Sequence, residues 1–212
     1  NVELPVKTIE EIRKIMTAPL DCPDLVTYLQ CFDLPLMVMQ YPYAITRIFY
    51  EVCEDAVKDG ITYLEIRFAP ALHTKNGHSY SQIIEAAIEG CIMAEARLPI
   101  TARIICCGMR QMDPEINAEI AEICWRYRHR YVCAFDLAGP EFNFPPHKHV
   151  KAFRTIREKG LGVTIHAGEA FGARSVDLAL ECSALRIGHG TRVVEDQKVL
   201  DEVIDRRIPL EC

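Results

Sequence analysis

No Gly-x-Gly-x-x-Gly and no Gly-x-x-x-x-Gly-Lys loop follows any apolar run of this sequence, which removes the usual dinucleotide and triphosphate cradles. No apolar stretch approaches the length of a membrane span, and no basic-then-apolar leader opens the chain. Positive charge is in deficit. The 24 Lys and Arg against 30 Asp and Glu leave a net charge of -6, which argues against a sequence-independent grip on nucleic acid or on an anionic membrane. Cysteine is plentiful, at ten, but Cys-x-x-Cys is absent and Cys106 and Cys107 are adjacent within an apolar run. Cysteines scattered in this way pack as small hydrophobes and imply a reducing compartment, so a cytoplasmic location is expected and a disulfide scaffold is not. Low-complexity linkers and a second zone of composition are also missing, so residues 1–212 read as one domain.

What is present is an alternation of strand-like and helix-like segments. Half of the residues are hydrophobic and a quarter charged, enough for a sizeable core. Thr8 with Glu11 has the capping-box spacing and starts a first helix. Residues 24–40 form a helical excursion interrupted by Pro35, whose Leu, Phe and Met side chains suit the wall of a pocket. A clear amphipathic helix over 44–58 is closed by Gly60. Strands are then expected at 61–68, 102–109, 132–137, 162–165, 185–187 and 208–212, and helices at 81–97, 114–131, 147–159, 176–182 and 195–206. A short strand at Val2-Glu3-Leu4, stopped by Pro5, would make seven. Repeated βα units imply a parallel sheet. Polar residues recur at many strand ends rather than at one crevice, which favours a (β/α)8 TIM-type barrel over an open sheet, with the seventh strand reached and the eighth missing. In the 61–68 strand Leu64, Ile66 and Phe68 face one way and Glu65 and Arg67 the other. Such charges ordinarily mark a solvent face; inside a closed barrel the alternative is that they point inward and pair, which is costly and suggests a functional interior.

The strand ends gather the chemistry. The β-branched run through Ile165 ends in His166-Ala167-Gly168-Glu169, where Gly168 lets the chain turn and bring Glu169 back over the edge. By itself that stretch is equally well a core histidine beside a helix-starting glutamate. His189, flanked by Gly188 and Gly190, ends the next strand with its imidazole left accessible. Arg67, Arg110 and Asp136-Leu137-Ala138-Gly139 end others, and in a barrel all of these converge on one mouth.

Asp136-Leu137-Ala138-Gly139, His166-Ala167-Gly168-Glu169 and Gly188-His189-Gly190, in this order and with Leu64 to Pro70 before them, resemble the adenosine deaminase family of metal-dependent amidohydrolase barrels. The resemblance runs from Thr8 to Cys212. It implies hydrolytic deamination of adenosine or 2′-deoxyadenosine to the inosine product and ammonia. It makes Zn2+ the cofactor and a small nucleoside the substrate. His166 is then a zinc ligand, Glu169 the proton donor to purine N1, and His189 the residue that orients and deprotonates the attacking water. Gly139 offers its backbone N–H to the purine. Zinc would lower the pKa of its water to about 7. Adenine deaminases of the superfamily tend to carry serines after this aspartate, so Ala138-Gly139 favours the nucleoside over the free base, and an adenine or modified-AMP deaminase of the same superfamily is the alternative the resemblance leaves open. The other deaminase fold, with His-x-Glu and Pro-Cys-x-x-Cys, is not represented.

The family also places a His-x-His just after a Val-Glu-Leu and an Asp-Asp pair on the eighth strand. Here Val2-Glu3-Leu4 runs into Pro5-Val6-Lys7, and the chain stops before that strand. One zinc ligand of four remains, where a catalytic site wants three. Either the chain is an inactive nucleoside-binding homologue or it represents part of a complete enzyme. The second is expected, because seven strands would leave two unpaired edges. The literal His-x-His at His147 and His149, and likewise His73, His78 and His129, read as solvated surface.

Overall fold

The computed structural model describes residues 3–211. Six strands run parallel and pair in chain order: β1 (Tyr63–Phe68), β2 (Thr101–Met109), β3 (Val132–Ala138), β4 (Gly162–Ala167), β5 (Arg186–His189) and β6 (Leu210–Glu211). In a flat sheet β1 and β6 would stand about 24 Å apart, five strand spacings. Instead Arg67 Nη2 of β1 lies 2.5 Å from Glu211 Oε2 of β6, and Arg186 Nη2 of β5 lies 2.6 Å from Glu65 Oε2 of β1. Side chains cannot bridge about 24 Å, so the sheet is curled into a half-barrel with the charges of β1, β3, β5 and β6 inside.

Helices α4 (Pro42–Lys58), α5 (Tyr80–Glu95), α6 (Pro114–Arg126), α7 (Val150–Glu158), α8 (Gly172–Glu181) and α9 (Gln197–Asp205) cover the outer face. α4 follows the expected pattern. Pro42 opens it where a missing N–H costs nothing, and Ile45, Phe49, Cys53 and Ala56 form its buried stripe. It ends in a Schellman arrangement, with Ile61 N–H donating to Ala56 O (2.9 Å) and Gly60 N–H to Val57 O (3.0 Å). α5 packs between α4 and β2 with an exposed stripe through Gln82, Glu85, Glu89 and Ile92, and begins with a Ser79–Gln82 capping box. β2 is buried along nearly its whole length, as a central parallel strand must be.

Before this shell, α1 (Ile9–Met16) has the Thr8–Glu11 capping box, and α2 (Leu25–Leu29), a 3-10 turn and α3 (Asp33–Val38) make the expected excursion. Pro35 does not interrupt it. It occupies the first turn of α3, where its missing N–H has no intrahelical acceptor to lose.

Two expectations fail here. Glu3 and Leu4 lie in no strand, and Val2 falls outside the described residues, so the strand expected at 2–4 is not found and the sheet of described residues has six strands. A three-residue segment with two apolar residues, followed by Pro5, carries too little pairing potential to identify a strand. His149 and His73, expected at the surface, are 1% and 2% exposed. The His73 ring meets Met39 O at 2.8 Å, and the His149 ring spans Asn117 Nδ2 (2.9 Å) and Arg110 O (3.1 Å). Polar partners inside the fold make their burial possible.

Candidate active site

β3 and β4 are paired through Ala134–Gly162 and Phe135–Val163, after which their C-terminal halves separate. The opening is bridged by side chains. His166 Nδ1 lies 2.9 Å from Asp136 Oδ2 and 3.2 Å from Oδ1. Asp136 is wholly buried, and it also accepts from Leu137 N–H (2.7 Å) and Cys107 Sγ (3.4 Å), with Arg67 Nε 3.7 Å away. Burial pushes its carboxyl up, but the His166 ring and the Arg67 guanidinium outweigh this and hold it below the ordinary carboxylate range. With Nδ1–H donated to Asp136, the lone pair of His166 Nε2 is the one left to bind a metal or a ligand.

Beyond Ala167 the chain turns at Gly168, whose φ of +69° is left-handed and where a Cβ would sit 2.8 Å from Val176 Cγ2. The turn brings Glu169 Oε1 to 3.6 Å from His189 Nε2. His189 has itself a φ of +66°, an unfavourable conformation for a side-chain-bearing residue and one held at a strand end. Its ring centroid is 5.1 Å from that of His166, with the planes at 60°. Gly139 has a φ of +101°, and a Cβ there would meet Gln111 Oε1 at 2.5 Å.

All four expected residues, Gly139, His166, Glu169 and His189, line one cavity of about 560 Å3. Arg67, Gln111, Asp33 and His73 add to its polar part. Leu25, Tyr28, Leu29, Phe32, Leu36 and Met39, from α2, the 3-10 turn, α3 and the residue after it, form an apolar wall. Such a cavity can hold a flat, mostly apolar ring system with a few polar edges.

Three contributors were not given roles by the sequence. Asp136 stood only as a motif member. A carboxylate inside an otherwise apolar strand was the available signal. Arg110, 1% exposed, donates from Nη1 to Phe144 O (2.8 Å) and from Nη2 to His166 O, so it pins the end of β4 from the end of β2. Glu141 contacts the segment that carries Glu169 and left no sequence signal beyond its place after Gly139-Pro140.

Among the described residues no group of three or more His, Cys, Asp or Glu side chains is arranged to hold a metal ion. His166 has the carboxylate-supported ring that suits a metal ligand, but a catalytic zinc needs at least three protein ligands. The described residues therefore do not by themselves make a catalytic zinc site.

The adenosine deaminase family model matches residues 1–212. A protein of Dictyostelium discoideum named probable adenosine deaminase is 50% identical over 213 residues, covering 100% of this chain and 28% of that protein. An adenosine deaminase of Haemophilus ducreyi is 40% identical, covering 99% of this chain and 62% of that one. Among solved structures, an adenine deaminase from Arthrobacter aurescens superposes with a TM-score of 0.87 at 25% identity, over 98% of this chain and 62% of that chain. An amidohydrolase from Burkholderia ambifaria, described with bound Zn, superposes at 0.86 and 25% identity, over 97% and 57%. The chain thus spans less than two thirds of each of these proteins.

Proposed function

The chain belongs to the adenosine deaminase family, and on that premise we propose that the protein it represents hydrolyses adenosine or 2′-deoxyadenosine to inosine or 2′-deoxyinosine and ammonia. The observation that carries this reading is the meeting of Gly139, His166, Glu169 and His189 at the polar end of one apolar-walled cavity. In it, Glu169 gives a proton to purine N1 while water adds at C6, and His189 takes the proton that the water loses. His189 returns that proton to the amino nitrogen, the C6–N6 bond breaks and ammonia leaves, while the new C6 hydroxyl gives its proton to Glu169 as the carbonyl forms. Gly139 N–H orients the purine edge, and the apolar wall covers its faces and excludes bulk water.

Zinc, which makes hydroxide available at neutral pH when bound, is the proposed cofactor. His166 is one ligand, fixed in its tautomer by Asp136, and the remaining ligands come from outside the described residues. The zinc described in the Burkholderia ambifaria amidohydrolase supports this choice.

A neutral nucleoside suits the cavity better than a nucleotide. Among the described residues Arg67 is the one Lys or Arg lining it, and Asp136 and Glu211 already engage that guanidinium. A phosphate would meet no uncommitted Lys or Arg there, while Asp33 adds negative charge. A cytoplasmic location is supported by the nine described cysteines, all free thiols, and no helix among the described residues is long and apolar enough to cross a membrane.

The test is an ultraviolet assay of adenosine turnover by the full-length protein, paired with metal analysis. We expect zinc and turnover, and a loss of about 10²- to 10⁴-fold in kcat on Glu169→Ala with zinc retained. Unchanged turnover in that variant removes Glu169 from the mechanism. Adenosine binding without zinc or turnover would identify a nucleoside-binding protein instead.

A further inference from the structure

We propose that Glu141 is the positioning residue of the Glu169 segment, setting where the proton donor stands through backbone hydrogen bonds alone. The proposal rests on the reading of Glu169 as that donor. Glu141 follows Gly139-Pro140 in the turn after β3 and is 4% exposed. Its carboxylate crosses to the connection between β4 and α8 and accepts from four successive amides. Oε1 takes Gly168 N–H at 2.6 Å. Oε2 takes those of Glu169, Ala170 and Phe171 at 3.1, 2.6 and 2.8 Å. Phe171, the N-cap of α8, has no side-chain cap of its own. Glu141 therefore supplies from another strand's loop the negative charge that the start of this ten-residue helix favours.

The carbonyls of the same segment are held from the opposite side. Gly168 O accepts from Arg192 N–H (3.1 Å) and Thr191 Oγ1 (3.0 Å), and Ala170 O from Arg192 Nη1 (3.2 Å). The segment that carries Glu169 is thus fixed between the loop that carries Gly139 and the loop that follows His189. Arg110 closes the set. Burial pushes its guanidinium down, and Glu141 is the foremost group opposing that. With its backbone committed in both directions, the Glu169 side chain has a defined origin from which to reach the cavity and His189.

Four N–H donors converging on two oxygens require a carboxylate. An amide in its place would turn an NH2 toward at least one of them. A proton donor moved by about 1 Å can lose about 10²-fold in rate without losing its substrate. Glu141→Gln is therefore expected to lower kcat for adenosine by about 10- to 100-fold, with KM changed less than about 3-fold.

The experiment is a double-variant cycle in the full-length protein, with Glu141→Gln and Glu169→Ala made singly and together and assayed with adenosine. A positioning residue that acts through Glu169 becomes silent once Glu169 is gone, so Glu141→Gln should cost less than about 2-fold in that background. An equal loss in both backgrounds, or an unchanged kcat in the single variant, overturns the proposal. Full turnover by Glu169→Ala alone would instead sink the proton-donor reading, whatever Glu141 does. Hydrogen exchange of the unsubstituted protein tests the contact without any variant. The amides of residues 168–171 should be strongly protected although they lie outside a strand or helix ladder, and exchange at open-loop rates would overturn the clamp.

Discussion

Asn117 and His149 secure the end of β2 through a closed set of hydrogen bonds. Asn117 donates to Met109 O (2.9 Å) and to His149 Nδ1 (2.9 Å) and accepts from Met109 N–H (3.0 Å), which leaves His149 Nε2–H for Arg110 O (3.1 Å). The ring must be neutral, since a second N–H would face the Asn117 amide. Burial pushes its pKa down, the Arg110 and Lys148 charges act the same way, and Arg110 O and the Asp113 carboxylate oppose them without prevailing. Its stabilising effect is present above the ordinary histidine value of about 6.5 and is lost as pH falls from there toward the lower folded value. Buried His73, also pushed down by burial, adds to the same slope. Thermal unfolding of the full-length protein should therefore shift to lower temperature between pH 7 and 5. His149→Gln should make that slope shallower, at a cost of about 1–3 kcal/mol at neutral pH. A melting temperature independent of pH over this range would refute the assignment. In sequence, His149 stands beside Pro145-Pro146 and Lys148 with no apolar periodicity around it, so its burial was not legible. The partner that makes burial possible, Asn117, is 32 residues away.

At the scale of elements, α2, the 3-10 turn and α3 present apolar side chains to solvent beside the cavity. Val26, Tyr28, Phe32 and Met37 are all exposed. Tyr28 and Phe32 meet edge to face at 5.7 Å and look onto the cavity with Leu29. A ligand ring covering them removes that surface from water. Phe32→Ala and Leu29→Ala should each weaken adenosine binding by about 1–1.5 kcal/mol, read as a KM raised about 5- to 10-fold with kcat little changed. Unaltered KM in both would show that this wall does not touch the substrate. The wall itself was legible, because apolar residues clustered in a segment that no buried helix pattern required. So were the strand ends, since Gly168 and the glycines around His189 mark places where the backbone must turn closely.

The whole molecule is held in its curl by charges that a flat sheet would expose. Arg186 bridges Glu65 (2.6 Å) and Glu211 (2.6 Å), and Arg67 joins Glu211 to Asp136. Burial pushes Glu65 up, but hydrogen bonds from Arg186 and Tyr63, the Arg186 charge and the Cys133 thiol together hold it below its ordinary value. The same contact and burial drive the Tyr63 phenol up to about 12. The Glu65 contribution is therefore present above the unfolded carboxylate value, about 4.3, and is lost as pH falls through the lower folded value. Its side chain and that of Arg186 remain 21% and 31% exposed, so solvent screens the pair. Glu65→Gln should cost about 1–2 kcal/mol at pH 7 and reduce the stability lost below about pH 4, with the Arg186→Gln double variant costing less than the sum of the two singles. Additive losses would mean that the two residues do not act as a pair.

The sequence by itself determined the parallel α/β plan, the placing of Glu65 and Arg67 on one face of their strand, the family resemblance and the four residues that meet at the cavity. Each of these is written in local terms, as a period of two or 3.6, a left-handed glycine or a polar residue ending an apolar run. Tertiary structure alone decided the rest. It set the support of His166 by Asp136, the crossing of Glu141 to the Glu169 segment, the burial of His73 and His149, and the absence of a strand at Glu3 and Leu4. All but the last depend on which distant polar groups arrive as partners. The free energy of burying a side chain is set by the partner it finds, which its neighbours in sequence do not specify.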